Sequence, residues 1–175
     1  MNIMDKTWLE GVKRAYPEFF KGVKVLELGS LDVNGSMWEL FEDCEMTGVD
    51  WIPGQNVTHV MKASETNFEP ETFDVLLSFN HLEHDPFWKE SISHNLPALK
   101  DGALLILRWA THSSGKHGPE FDPTHSGGYY PKDMPEVIEF LKDIKIKVIS
   151  RSQDHNPYIG VMANIVAKYV KPTSI

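Results

Sequence analysis

A doubly wound α/β domain is what the sequence predicts: a mostly parallel, seven-stranded sheet with helices on both faces and a C-terminal antiparallel hairpin. Three observations carry this. The run Phe73 to Phe79 is almost continuously apolar, as strands covered on both faces of a parallel sheet are, and Val23 to Leu28 and Gly102 to Trp109 read as further strands of the same sheet. Helical patterns alternate with them, which is the order of βαβ units. The last two strand-like runs, Ile144 to Ser150 and Gly160 to Val170, are separated only by the turn-rich stretch Gln153 to Pro157. That connection is too short for a crossover, so the pair must be antiparallel.

Taken in order, Thr7 to Phe20 places Trp8, Val12, Ala15 and Phe19 at spacings of three and four, an amphipathic helix that packs on the sheet as a lid. Val23 to Leu28 is the first strand, ending in Gly29, and a loop runs on to Gly35. Ser36 is the expected N-cap of a helix with Met37, Leu40 and Phe41 on one face. Strands follow at Met46 to Trp51 and Thr58 to Met61, divided by the Pro53-Gly54 turn signal. After the strand Phe73 to Phe79, Pro86 to Leu99 reads as a helix with Pro86 in its first turn. Gly102 to Trp109 is the next strand. From Thr111 to Tyr130 the composition turns to Gly, His, Ser and Pro without periodicity, a connection long enough to expect a function for it. Pro135 to Leu141 is the last helix, and the hairpin closes the sheet.

The chain's 175 residues are expected to form one domain, residues 1–175, with residues 1–22 as an N-terminal helix and 111–130 as a substrate-side loop. Hydrophobic residues at 41% and charged residues at 24% exclude wholesale disorder and fibrous repeats. A net charge of -8 without a basic stripe argues against nucleic acid as a partner; Lys142, Lys145 and Lys147 read as a solvated face. The single cysteine, Cys44, permits no internal disulfide, and no apolar run is long enough to span a bilayer. A soluble, cytoplasmic chain with no membrane partner is the expectation, and the sequence leaves its oligomeric state open.

The chemistry concentrates at the ends of the first two strands. In VLELGSLDVNG, Val25 to Gly35, Glu27 sits inside the strand end, Gly29 stands where the chain turns, and Gly35 precedes the next element. Glycine permits positive φ and close approach to a ligand, and the Glu27 carboxylate can accept hydrogen bonds from a cationic group. Asp50 ends the second strand, twenty-one residues after Gly29, where a carboxylate can accept both ribose hydroxyls of an adenosine. A dinucleotide fingerprint would need a second glycine two positions after Gly29, but Leu31 stands there and Asp32 follows. A pyrophosphate would meet that aspartate, whereas a phosphate-free sulfonium would not be repelled.

With VLELGSLDVNGS, then GVDW before a Pro-Gly turn, then FDVLLSFNHLEH, the chain resembles the class I S-adenosylmethionine-dependent methyltransferases of the small, single-domain, Rossmann-like type. The resemblance covers Val23 to Trp109. It implies S-adenosylmethionine as cofactor, with Glu27, Gly29 and Ser30 against its methionine part and Leu31 beside them. It further implies Asp50 on the ribose, Trp51 flanking the adenine, and Asn80 and His81 at the fourth strand's end next to the cofactor. Many members carry Asp-Ala where this chain has Lys62-Ala63. Lys62 cannot accept from the adenine amino group, so a backbone group or Ser64 takes that part.

The implied activity is methyl transfer to an acceptor the sequence does not identify, with a small molecule favoured. A general base is optional for this reaction. His81, His84, His112 and His125 are the candidates, because imidazole titrates near neutrality, and His81 is favoured for its place at the fourth strand's end. Glu83 and His84 read instead as the start of the following helix. His112, His125, Tyr129 and Tyr130 are the expected acceptor-contacting residues of the long loop. No metal is expected, since His112, His117 and His125 are irregularly spaced and lack cysteine partners. Two other functions stay open: a non-catalytic binding module on the same fold, and a nicotinamide-dependent oxidoreductase, which the missing turn glycine disfavours. Asn156-Pro157-Tyr158, a partial likeness to the motif of amino-methylating DNA enzymes, falls in the final hairpin, away from the fourth strand.

Overall fold

The structure is a computed structural model that describes residues 3–33, 35–115, 128–157 and 160–172. Seven strands form one sheet: β1 (Lys24–Leu28), β2 (Glu45–Asp50), β3 (His59–Val60), β4 (Phe73–Phe79), β5 (Leu99–Ala110), β6 (Lys147–Asn156) and β7 (Gly160–Lys168). Their order is β3-β2-β1-β4-β5-β7-β6. β1 to β5 run parallel, and β7 inserts antiparallel between β5 and β6. The helices are α1 (Ile3–Ala15), α2 (Trp88–Asn95) and α3 (Met134–Asp143). From β1 the chain winds outward through β2 and β3, then returns to lay β4 on the other side of β1. The crevice above β1 and β4 is therefore the switch point at which such sheets bind ligands.

Period-2 alternation divides the apolar residues between two faces. Val25, Val75, Leu77, Leu104 and Ile106 face Leu9 and Val12 of α1 together with Phe20, Met37, Leu40 and Phe41. Leu26, Leu28, Leu76, Leu105 and Leu107 face Trp88 and Ile92 of α2 and Val137 and Leu141 of α3. Helices on both faces thus follow from the apolar residues of the central strands β1, β4 and β5, which offer a hydrophobic row to either side.

Three local expectations are corrected. The helix after Ser36 is a single 3₁₀ turn, Trp38–Leu40. Its apolar side chains are buried as foreseen, with Phe41 stacked on Phe20 at 4.6 Å. The backbone nevertheless leaves the turn at Phe41, because Glu42 donates its N–H to the Phe20 carbonyl at 2.8 Å and bridges to Lys21. Second, the helix expected to reach Leu99 stops at Asn95, since Pro97 lacks the N–H that would continue it. Leu99 already pairs with Phe73 as part of β5. Third, Gln153 to Asn156 belongs to β6, paired in register through Asn156 and Gly160. β6 is an edge strand, so Gln153 and His155 are solvated strand residues, while Asp154 turns inward to Arg108 and Asn156 is buried.

The least expected feature lies at the ligand end of the sheet on the α1 face. Arg108 of β5 is fully buried. Its Nε donates to Asp5 Oδ1 at 2.6 Å, and its Nη1 donates to Asp154 Oδ2 at 2.6 Å and to Asn164 Oδ1. The guanidinium thereby joins α1, β5, β6 and β7.

Candidate functional site

The site is built from the carboxyl ends of β1, β2 and β4. Gly29 has φ +76°, and a Cβ there would stand 2.4 Å from His81 Cβ. Only glycine lets the loop after β1 turn while the segment after β4 lies against it. Gly29→Ala is expected to cost about 2–4 kcal/mol, combining left-handed strain with overpacking. Urea unfolding measures it, and a loss below about 0.5 kcal/mol would mean that His81 moves aside without resistance.

Glu27 is buried, and Trp38 Nε1 donates to its Oε2 at 2.5 Å. Burial pushes its carboxyl up to about 8; the Trp38 hydrogen bond pulls it down, while Asp32 and Asp50 push it further up. The loop is shaped by its own polar side chains: Asp32 Oδ1 accepts from Gly35 N–H at 2.5 Å, and Ser36 Oγ from Trp38 N–H at 3.0 Å. Asp50 accepts from Leu31 N–H at 3.3 Å and Ile52 N–H at 3.1 Å, one bond on each oxygen. Its carboxylate is thereby oriented before any ligand arrives, and the same bond places Leu31, whose side chain packs against Gly54.

Ser30 is buried, and its Oγ has no hydrogen-bond partner among the described residues. Trp51 beside Asp50 is 43% exposed, a ring open on one side. Lys62 pairs with Glu65 at 3.2 Å on the surface, whereas Ala63 is buried beneath it. Asn80 leaves β4 with φ +51°. His81 Nε2 lies 3.4 Å from Asp85 Oδ2. Burial pushes the Asp85 carboxyl up, but His81, the Ser91 hydroxyl and the Phe87 N–H together hold it below its ordinary value.

Glu27, Gly29, Ser30, Leu31, Asp50, Asn80 and His81 thus lie together at the carboxyl ends of β1, β2 and β4, with the exposed Trp51 next to Asp50. Around the segment that follows β5, His84 Nδ1 lies 3.0 Å from the Gly128 carbonyl, Tyr130 is 47% exposed, and His112 Nδ1 is 3.4 Å from Asp133. The Tyr129 hydroxyl donates to the Gly115 carbonyl at 3.2 Å. His125, with His117, lies outside the described residues. No group of three metal-binding side chains occurs among the described residues.

Sequence reading missed several members. Lys132 is buried over the Trp88 ring at 5.6 Å. It donates to the Tyr130 carbonyl at 2.5 Å and to that of Leu82, tying the segment before α3 to the segment after β4. Burial brings its ammonium down to about 8, against the pull of Glu83, Asp85 and Glu136. Trp38 and Asp5 were equally unmarked. Arg108 alone left a signal, a charge inside the apolar run Leu104 to Trp109.

No protein-family model and no curated protein matches the chain. Solved structures do. The 1,6-didemethyltoxoflavin-N1-methyltransferase of Burkholderia thailandensis, with 1,6-didemethyltoxoflavin and S-adenosylhomocysteine bound, superposes with a TM-score of 0.71 at 13% identity, over 96% of this chain and 80% of that one. The Haemonchus contortus phosphoethanolamine N-methyltransferase 2, in complex with phosphomonomethylethanolamine and S-adenosylhomocysteine, gives 0.66 at 17% identity, over 93% of this chain and 52% of that one. The [4+2]-cyclase SpnF gives 0.67 at 13% identity, over 92% and 80%. The chain has the fold of the class I S-adenosylmethionine-dependent methyltransferases. At these identities the likeness is one of fold, and the cyclase among the matches shows that fold alone does not name the reaction.

Proposed function

We propose that the chain is an S-adenosylmethionine-dependent methyltransferase acting on a small molecule. The observation that carries this reading is the set of groups at the switch point. The carboxyl groups of Glu27 and Asp50 flank a glycine turn at Gly29, with the Ser30 hydroxyl buried and without a hydrogen-bond partner among the described residues. A phosphate-free adenosine with a cationic tail suits that set, and a pyrophosphate does not.

When bound, S-adenosylmethionine supplies a methyl carbon on a positively charged sulfur. Asp50, fixed by two backbone N–H groups, has lone pairs left for the ribose hydroxyls. Glu27 faces the amino-acid tail, and Gly29 lets that tail approach the backbone. Trp51 offers an exposed ring to the adenine. Lys62 is engaged by Glu65, so Ser64 or a backbone group meets the adenine amino group. His81, oriented by Asp85, is the proposed base, and His112, His125, Tyr129 and Tyr130 the proposed acceptor contacts within a single domain. Holding nucleophile and methyl in line is the main catalytic task, worth effective molarities of roughly 10⁵–10⁸ M.

Calorimetric titration with S-adenosylmethionine, S-adenosylhomocysteine and NAD tests the reading. Binding of the first two alone is expected, and Asp50→Ala should weaken both by roughly 10- to 100-fold through loss of charge-assisted ribose contacts. Unchanged affinity in that variant removes Asp50 from the site, and failure of the native chain to bind either ligand defeats the proposal. Turnover of bound S-adenosylmethionine separates an enzyme from a binding module.

A further inference from the structure

We propose that Asn80 reads the methyl acceptor and that Asp5 sets what it reads. The side-chain oxygen of Asn80 is offered to an N–H or O–H group on the reacting atom, so the acceptor is an amine or a hydroxyl compound. The inference rests on the cofactor reading above and adds the chemical class of the second substrate.

Asn80 ends β4 in a left-handed conformation, φ +51°, which asparagine tolerates better than most residues. Its N–H is held by the Arg108 carbonyl at 2.9 Å, and the next residue, His81, lies against Gly29. The amide is therefore fixed beside the turn where the cofactor's tail would lie. The two ends of an asparagine amide have the same shape, and only hydrogen bonding decides which way it faces. Here Asp5 decides. Its Oδ1 accepts from Arg108 Nε at 2.6 Å, and its Oδ2 accepts from Asn80 Nδ2 at 3.1 Å. Arg108 is itself pinned by Asp154 on two nitrogens, at 2.6 and 3.0 Å, and by Asn164.

A carboxylate held by an arginine can only accept, so the NH₂ of Asn80 must face it and the oxygen must face away. That oxygen is buried and has no hydrogen-bond partner among the described residues. A buried acceptor is costly to leave unmet, and groups of this kind mark places that a ligand completes. The partner it demands is a donor. A carbon nucleophile presents none at its reacting atom, whereas an amine or hydroxyl does. With its X–H bond directed at Asn80, the nucleophile's lone pair forms the bond to the methyl carbon. The carbon–sulfur pair then stays on sulfur, and the proton leaves X for His81, the proposed base.

Sinefungin, which carries a C–NH₃⁺ group in place of the sulfonium methyl, puts such a donor at the reacting position without any acceptor present. The native chain should bind it about tenfold or more tightly than S-adenosylhomocysteine, as one hydrogen bond to a charged donor allows. Asn80→Ala should bring that ratio, read against the variant's own affinity for S-adenosylhomocysteine, close to one. Asp5→Asn is the sharper test, because it is isosteric. Its carbonyl must stay with Arg108, its NH₂ then faces Asn80, and the Asn80 amide turns over to present a donor, so sinefungin should bind more weakly than S-adenosylhomocysteine. A native chain that binds S-adenosylhomocysteine without preferring sinefungin, or an Asp5→Asn variant that keeps the preference, overturns the proposal alone. Failure of the native chain to bind S-adenosylhomocysteine overturns the cofactor reading instead.

Discussion

Arg108→Met is expected to lower the stability of the folded chain by about 3–5 kcal/mol, a fall in melting temperature of roughly 10 °C for a domain of this size. The reason lies in what is left behind. Asp5 has a side chain only 3% exposed, and Arg108 supplies its nearest positive charge at 2.6 Å. Methionine fills a similar volume, so little of the loss is a cavity. The loss is an uncompensated carboxylate, shared by the Asn80 amide that it orients. Asp154, 28% exposed, can turn toward water and contributes less. Replacing both partners, Arg108→Met with Asp5→Leu, should recover a large part of the loss, because paired apolar groups carry no desolvation cost. Urea denaturation of the single and double variants measures both numbers. A single variant within 1 kcal/mol of the native chain would show that the cluster adds nothing to stability.

The same cluster explains where sequence reading succeeded and where it stopped. Strands were legible because Val25 to Leu28 and Val75 to Phe79 are apolar on both faces, and that pattern has few other uses. Gly29 and Asp50 were legible because a turn glycine and a strand-end carboxylate act through the backbone that carries them. The partnership of Asp5 with Arg108, by contrast, spans 103 residues of chain. No periodicity links the two, and only the packing of α1 over β5 creates the contact. Trp38 was hidden for a related reason: a helical face explained Met37, Leu40 and Phe41, and the turn that replaced the helix freed the indole to reach Glu27. In β6 the error ran the other way, since polar residues at a solvated edge look like a turn until the partner strand is known.

Glu27 should make cofactor affinity rise with pH. In the ligand-free chain its carboxyl titrates at about 8, against an ordinary value of 4.5, principally because it is buried. The folded chain therefore holds a proton there that the unfolded chain has lost. The associated stability is fully present below about pH 4.5 and is lost as pH rises through about 8. A cationic amino group brought beside Glu27 reverses the preference, since an adjacent positive charge favours the carboxylate. Binding below pH 8 must then expel the proton. Affinity for S-adenosylhomocysteine should climb toward about tenfold per pH unit between pH 6 and 8, flatten above that, and fall once the ligand's own amine deprotonates. Calorimetry in two buffers of different ionisation enthalpy counts the proton directly, and close to one should be released near pH 7. Glu27→Gln should abolish that release, flatten the profile and leave the ligand-free chain more stable near pH 8, because the amide buries no charge there. Proton release that survives the substitution would place the titrating group elsewhere and leave Glu27 with the structural task of anchoring Trp38.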